Sequence, residues 1–227
     1  MNRVLIFSIV LFLCGCNHTA DEWKTMEIGN YVFDVPSDFK LTEYESIDSY
    51  AGKIEGDSMG LGFDFGYYSN SLEQTLEEYL DHGNWRTNLP YRFMKEGITY
   101  DQTNMPKVDV LQIRPATSED SALGKGCDYV ATCKHDTTEF EYSIYIPEDI
   151  KYMNYTIDTV DNQYRKIMWS EDSYKGLTGI YIKDMSSFNE PIHNYTALSM
   201  ATSELSKEEQ NIALKIIRSV RRKNSAK

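Results

Sequence analysis

Four histidines, four cysteines and 35 carboxylates are the side chains through which this 227-residue chain could grip a metal or move a proton. The histidines, His18, His82, His135 and His193, stand far apart. None lies three to five residues from another, so the spacing that sets two imidazoles on one helix face for zinc is missing. His82 precedes Gly83 at the end of a helical pattern and His135 adjoins a turn, where capping and solvation account for both. The chain has no G-x-S-x-G elbow, phosphate loop or dinucleotide fingerprint. Asp64, in "GFDFGYY", is the one acid set among aromatic and glycine residues. Burial there would shift its pKa, but the alternation of the segment turns it away from the Met-Leu-Phe face, toward solvent or a helix. A hydrolase would need a site assembled from distant acids such as Asp64 and Glu141.

Two cysteines, Cys127 and Cys133, lie in the body of the chain. "CDYVATC" reads as one strand, whose ends stand about 20 Å apart, and a disulfide needs Cα atoms within roughly 7 Å. Two free thiols on one buried face are therefore expected, with a bridge across an unexpected loop as the alternative. No second Cys or His pair has zinc spacing, and no metal or cofactor is expected.

The other two cysteines, Cys14 and Cys16, follow a short apolar run, Val4 to Leu13, that opens on Arg3. The run is too short to span a bilayer, which takes about 20 residues. A basic start, a short apolar core and small residues at its end make a secretory signal. Leu13-Cys14-Gly15-Cys16 resembles the bacterial lipobox. The resemblance implies a diacylglyceryl group on the Cys16 thiol and cleavage before it. Residues 1–15 are then the signal peptide, 16–25 a lipidated cysteine and polar tether, and 26–227 one globular domain. Residues 17–25 span about 30 Å at full stretch. A C-x-C redox or metal pair and an uncleaved anchor are the alternatives. Asn17 in place of Asp favours the outer membrane if the envelope is Gram-negative.

The net charge is −12, and −13 without residues 1–15, which hold Arg3 and no acid. Phosphates would repel such a body, so nucleic acid is excluded as a partner, and the fatty anchor rather than the protein surface is expected to hold the membrane. Seventeen tyrosines, including Tyr67-Tyr68 and the pair Tyr142 and Tyr145, offer a sugar- or peptide-binding face, although strands favour tyrosine anyway. The Asn154 and Asn194 sequons carry no weight in a bacterium.

Most of the chain alternates with a period of two. "YVFDVPSDFKL" reads as a strand closed by Pro36. In the next segment Met59, Leu61, Phe63, Phe65 and Tyr67 share one face, with Gly60, Gly62, Asp64 and Gly66 opposite, where a helix or strand is expected to pack closely. "GITYDQT", "KVDVLQIRP", "CDYVATCKH", "EFEYSIYIP", "GLTGIYIKD" and "NYTALSMAT" read as further strands. The stretch "EDIKYMNYTIDTVDNQYRKIMW" reads as loop with a strand at its end. Two helices interrupt the pattern. One carries Leu72, Leu76, Tyr79 and Leu80 with a Ser71–Gln74 capping box and a Gly83 stop. The other carries Ile212, Ala213, Ile216, Ile217 and Val220 behind a Ser206–Glu209 box, and ends in cations that the helix dipole and solvation explain, with docking on membrane phosphates or a partner as the alternative.

Two helices so far apart must bury their stripes on the strands between them, which gives an α+β domain with an antiparallel sheet flanked by helices. The segments "YVFDVPSDFKLTE" and "LSKEEQNIALKIIRSVRR" resemble those of PsbP-like and DcrB-like domains. That resemblance implies an α/β/α sandwich and an accessory, binding role. The expected protein is a lipid-anchored envelope lipoprotein with a non-catalytic domain for a protein or small ligand. The alternatives are the hydrolase above and a structural subunit of an envelope complex.

Overall fold

The computed structural model describes residues 22–223 apart from 125, 174 and 186–196. The signal segment, Cys16, His18, His193 and the Asn194 sequon lie outside the described residues. The polar stretch read as a tether gives way early to structure. Trp23–Ile28 is already a strand, β1, and forms a hairpin with β2, Tyr31–Pro36. Its partner supplies what its own sequence lacks, since Met26 and Ile28 share a face with Phe33 and Tyr31.

The next three strands are β3 (Lys40–Tyr44), β4 (Ser49–Glu55) and β5 (Gly60–Gly66). Late in the chain come β9 (Met153–Val160), β10 (Gln163–Ser170), β11 (Thr178–Asp184) and β12 (Ala197–Thr202). Together they make a seven-stranded antiparallel sheet in the order β3-β4-β5-β12-β11-β10-β9. Rows of facing residues cross it, for example Phe63, Met200, Ile180 and Ile167. This face is covered by the β1–β2 hairpin and by α4 (Lys207–Arg218), whose continuation β13 (Arg221–Arg222) pairs with β2. Ala213, Ile216 and Ile217 of α4 are fully buried there with Ile28, Phe33, Leu61 and Leu198. Gly29 turns the hairpin at φ +57°, and a Cβ there would sit 2.4 Å from the Phe65 ring, so both conformation and contact require glycine. Helix α4 starts as its sequence predicts, with Ser206 and Glu209 capping each other reciprocally.

The middle of the chain builds a second layer. Strands β6 (Asp109–Pro115), β7 (Tyr129–His135) and β8 (Thr138–Ile144) form a separate three-stranded antiparallel sheet. Two short helices, α1 (Leu76–His82) and α2 (Asn84–Asn88), pack on it through Tyr79 and Trp85, over Ala131, Cys133 and Ile144. Trp85 donates its indole N–H to the Tyr79 carbonyl at 3.0 Å, which locks the two helices together.

The protein is therefore built of antiparallel sheets with few helices, and this corrects the expected sandwich of one sheet between helical layers. Among the described residues only α4 exceeds seven residues of helix. Three of the strands between the helices pair only with one another and form a sheet of their own. Other differences are local. Residues 97–103 form a loop rather than a strand. There the Asp101 carboxylate takes the N–H groups of Thr103 and Asn104, which a sheet would need. Helix α1 begins after Thr75 instead of Ser71, because Thr75 and Glu78 form the capping box and Leu72 sits at φ +65°. Gly62 is exposed, so nothing packs closely at that point of the glycine face. Cys127 precedes β7 and is half-buried, whereas Cys133 is buried within it; both thiols are free.

Candidate functional site

A single helical turn, α3 (Glu148–Lys151), joins the small sheet to the large one and separates two cavities. It starts directly after Pro147, with acids in its first turn and Lys151 in its last, as the helix dipole favours. On one side lies a trough of about 370 Å³. Its apolar wall comes from four elements: Leu76 of α1, Tyr129 of β7, Ile146 and Ile150 around α3, and Met153 and Tyr155 of β9. Mostly apolar walls with a few fixed polar groups, at the seam between two layers, are what small-ligand sites have in common.

Two polar pairs border the trough. Lys151 Nζ lies 2.5 Å from Asp128 Oδ1, and Asp128 Oδ2 accepts the Ile146 N–H at 2.9 Å. Partial burial pushes the Asp128 carboxyl up. The Lys151 ammonium and the Ile146 N–H together outweigh it, so the group sits below its ordinary value. Lys151 is held above its own by the hydrogen bond to Asp128. At the other end the Tyr155 hydroxyl donates to Glu77. That bond, with burial added, pushes the phenol up to about 12, and against burial it holds the Glu77 carboxyl below its ordinary value. Both pairs are thus fixed in one charge state around neutral pH, suited to orienting a ligand rather than to exchanging protons with it.

On the other side of α3 is a bowl of about 430 Å³, bordered by Glu148, Asp149, Glu171 and Asp172 with Tyr152. Lys175 approaches Asp172 to 3.5 Å. Among the described residues no group of three His, Cys, Asp or Glu side chains is arranged to hold a metal ion.

The residues singled out in the sequence are dispersed. Asp64 and Glu141 stand in different sheets. Asp64 is half-buried on the face of β5 opposite Leu61 and Phe63. Its Oδ1 is buried and, among the described residues, accepts no hydrogen bond. Glu141 meets Arg114 at 3.1 Å, and the same guanidinium makes two 2.8 Å bonds to Asp120. Tyr142 stacks beside Trp85 in the small core and Tyr145 is exposed, so these two do not form one binding face. Tyr67 and Tyr68 do pack edge to face, 4.7 Å apart. The sequence carries little signal for the α3 and β9 side of the trough, because "EDIKYMNY" has no clear period. The available signal was the Pro-Glu-Asp start of α3.

The Arg114 pair, with the Thr117 N–H, holds the Asp120 carboxyl far below the usual carboxylate range. A folded-state pKa below the unfolded one adds stability that is complete above about pH 4 and is lost as pH falls toward the folded value. Urea unfolding followed over the acid range should show this loss, and Asp120→Asn should flatten that limb of the profile. An unchanged profile in the variant would refute the assignment. No protein-family model matches the chain, and no curated protein matches it.

Proposed function

We propose that this chain is a bacterial envelope lipoprotein, held to the membrane by acyl chains on Cys16, whose body is a non-catalytic binding domain. The observation that carries the reading is Leu13-Cys14-Gly15-Cys16 at the end of a short apolar run behind Arg3. Two or more acyl chains hold firmly, at about 0.8 kcal/mol per buried methylene. Binding is supported by the trough beside α3, with its apolar walls and two ion- or hydrogen-bonded pairs of fixed charge. Its size and lining fit a small, largely apolar ligand with a polar end. The accessory role and the kinship with PsbP-like domains belong to the same proposal and rest on the β2 segment and on α4.

Cys16→Ala should leave an unprocessed precursor or a protein released from membranes. Fractionation and intact-mass measurement of the purified protein check this. An unmodified Cys16 with residues 1–15 still attached would overturn the anchor. Isothermal titration with amphipathic small molecules, on the wild type and on Ile150→Asp, checks the trough, since a charge placed in its wall should abolish whatever binds there.

A further inference from the structure

Helix α4 presents one exposed stripe, and in its C-terminal half that stripe is Lys215 and Arg218. Each cation lies over a half-buried indole. Lys215 Nζ is 3.7 Å from the centre of the Trp23 ring, and the Arg218 guanidinium is 5.4 Å from that of Trp169. The two tryptophans thus flank the helix, one from β1 and one from β10. Beside Trp23, Lys24 is bonded to the Ser37 carbonyl at 2.7 Å. These three cations meet a carbonyl or aromatic faces instead of carboxylates. The one carboxylate in the adjoining hollow, Asp34, is tied to Arg221 at 2.8 Å. Among the described residues, this strongly acidic protein thus carries a local face of cations set on tryptophans and paired with no carboxylate.

The position of that face gives it meaning. Trp23 is the first residue of β1, and seven residue steps separate it from Cys16, a reach of at most about 24 Å. Tryptophan and snorkelling lysine or arginine are the side chains that settle at a bilayer interface. Charges elsewhere on the body act weakly across a Debye length of about 8 Å, so the local cations decide the interaction at contact. We infer that the face of α4 between Trp23 and Trp169 is the surface this domain rests on an anionic bilayer. The inference depends on the lipidation of Cys16 proposed above. It departs from the expectation, drawn from net charge, that the acyl chains alone hold the protein.

The test uses the processed, lipidated full-length protein in vesicles of phosphatidylcholine and phosphatidylglycerol whose acyl chains are brominated near the headgroup. Bromine quenches only indoles at the interface. Trp85, 5 % exposed in the small core, is the internal control. Trp23 and Trp169 should be quenched, as single Trp→Phe changes would assign. Quenching should fall to the level of Trp85 in Lys215→Glu/Arg218→Glu and in vesicles of phosphatidylcholine alone, with the protein still pelleting with the vesicles. Lys215→Arg/Arg218→Lys should retain it. Circular dichroism establishes that the charge reversal leaves the fold intact. Protein that pellets with unquenched indoles, or quenching indifferent to the charge reversal, overturns the resting face while the anchor stands. Protein without acyl mass on Cys16 that fails to pellet removes the anchor and the resting face together.

Discussion

Glu78→Ala should destabilise the fold by about 3 kcal/mol or more, whereas Lys166→Met should change it by less than about 1.5 kcal/mol. The asymmetry follows from where each charge sits. Lys166 on β10 is 1 % exposed, and its ammonium reaches Glu78 at 3.0 Å and the Glu73 carbonyl at 3.1 Å. Glu78 on α1 is 36 % exposed. Removing the glutamate strands a cation inside the protein. It also removes the acceptor for the Thr75 N–H, so α1 loses its capping box. Removing the lysine leaves a carboxylate that water can reach and a cap that still works, while methionine fills the vacated volume. Glu78→Gln separates the two losses, because the amide oxygen still caps but carries no charge. Chemical denaturation of the three variants and of Lys166→Met/Glu78→Ala measures them. The double variant should recover most of what Glu78→Ala loses. Equal damage from Lys166→Met would show that the bond to Glu73, and not the buried charge, holds α1 on the large sheet.

Asp64→Ala should stabilise the protein by about 1–3 kcal/mol, because it deletes a buried acceptor that has no donor. The residue lies in β5 in one cross-strand row with Ser199, Tyr181 and Lys166. Its backbone carbonyl accepts from the Ser69 hydroxyl, but its Oδ1 accepts from nothing among the described residues. Aspartate is a poorer strand former than alanine, so propensity acts in the same direction. Thermal unfolding should shift up by about 2–4 °C per kcal/mol for a chain of this size. A lowered midpoint would mean that Asp64 Oδ1 is satisfied in the folded protein, for example by an ordered water, and would overturn the reading of an unpaired acceptor.

The segments that were legible in the sequence share one property: their signals are local. Ser206 and Glu209 cap α4 because both groups lie within one turn, and the apolar spacing that follows decides which side is buried. The alternation through Leu61 and Phe63 is equally local, and β5 buries that side. The β9–β10 hairpin was missed although its turn was written in the chain. Asp161 and Asn162 both take positive φ, the two-residue turn that Asp and Asn tolerate. Its strand Met153–Val160 is exposed on both sides at its outer end, as an edge strand permits, and so has no strong period to read. Trp23–Ile28 was missed for a related reason, since half of what makes it a strand is the apolar face of β2.

From its own sequence the chain determined α4, the strands of strong alternation, the two free thiols of the body and the apolar run from Val4 to Leu13 that precedes Cys16. Only the tertiary structure decided that β5 pairs with β12 across most of the chain, that β6–β8 close into a sheet of their own, and that α1, β7, α3 and β9 meet around one trough. Capping and alternation act over a few bonds, so a short window of sequence contains both partners. Strand pairing between distant segments and cavities walled by several elements depend on which apolar faces remain uncovered once every local choice has been made, and no single stretch of residues holds that information.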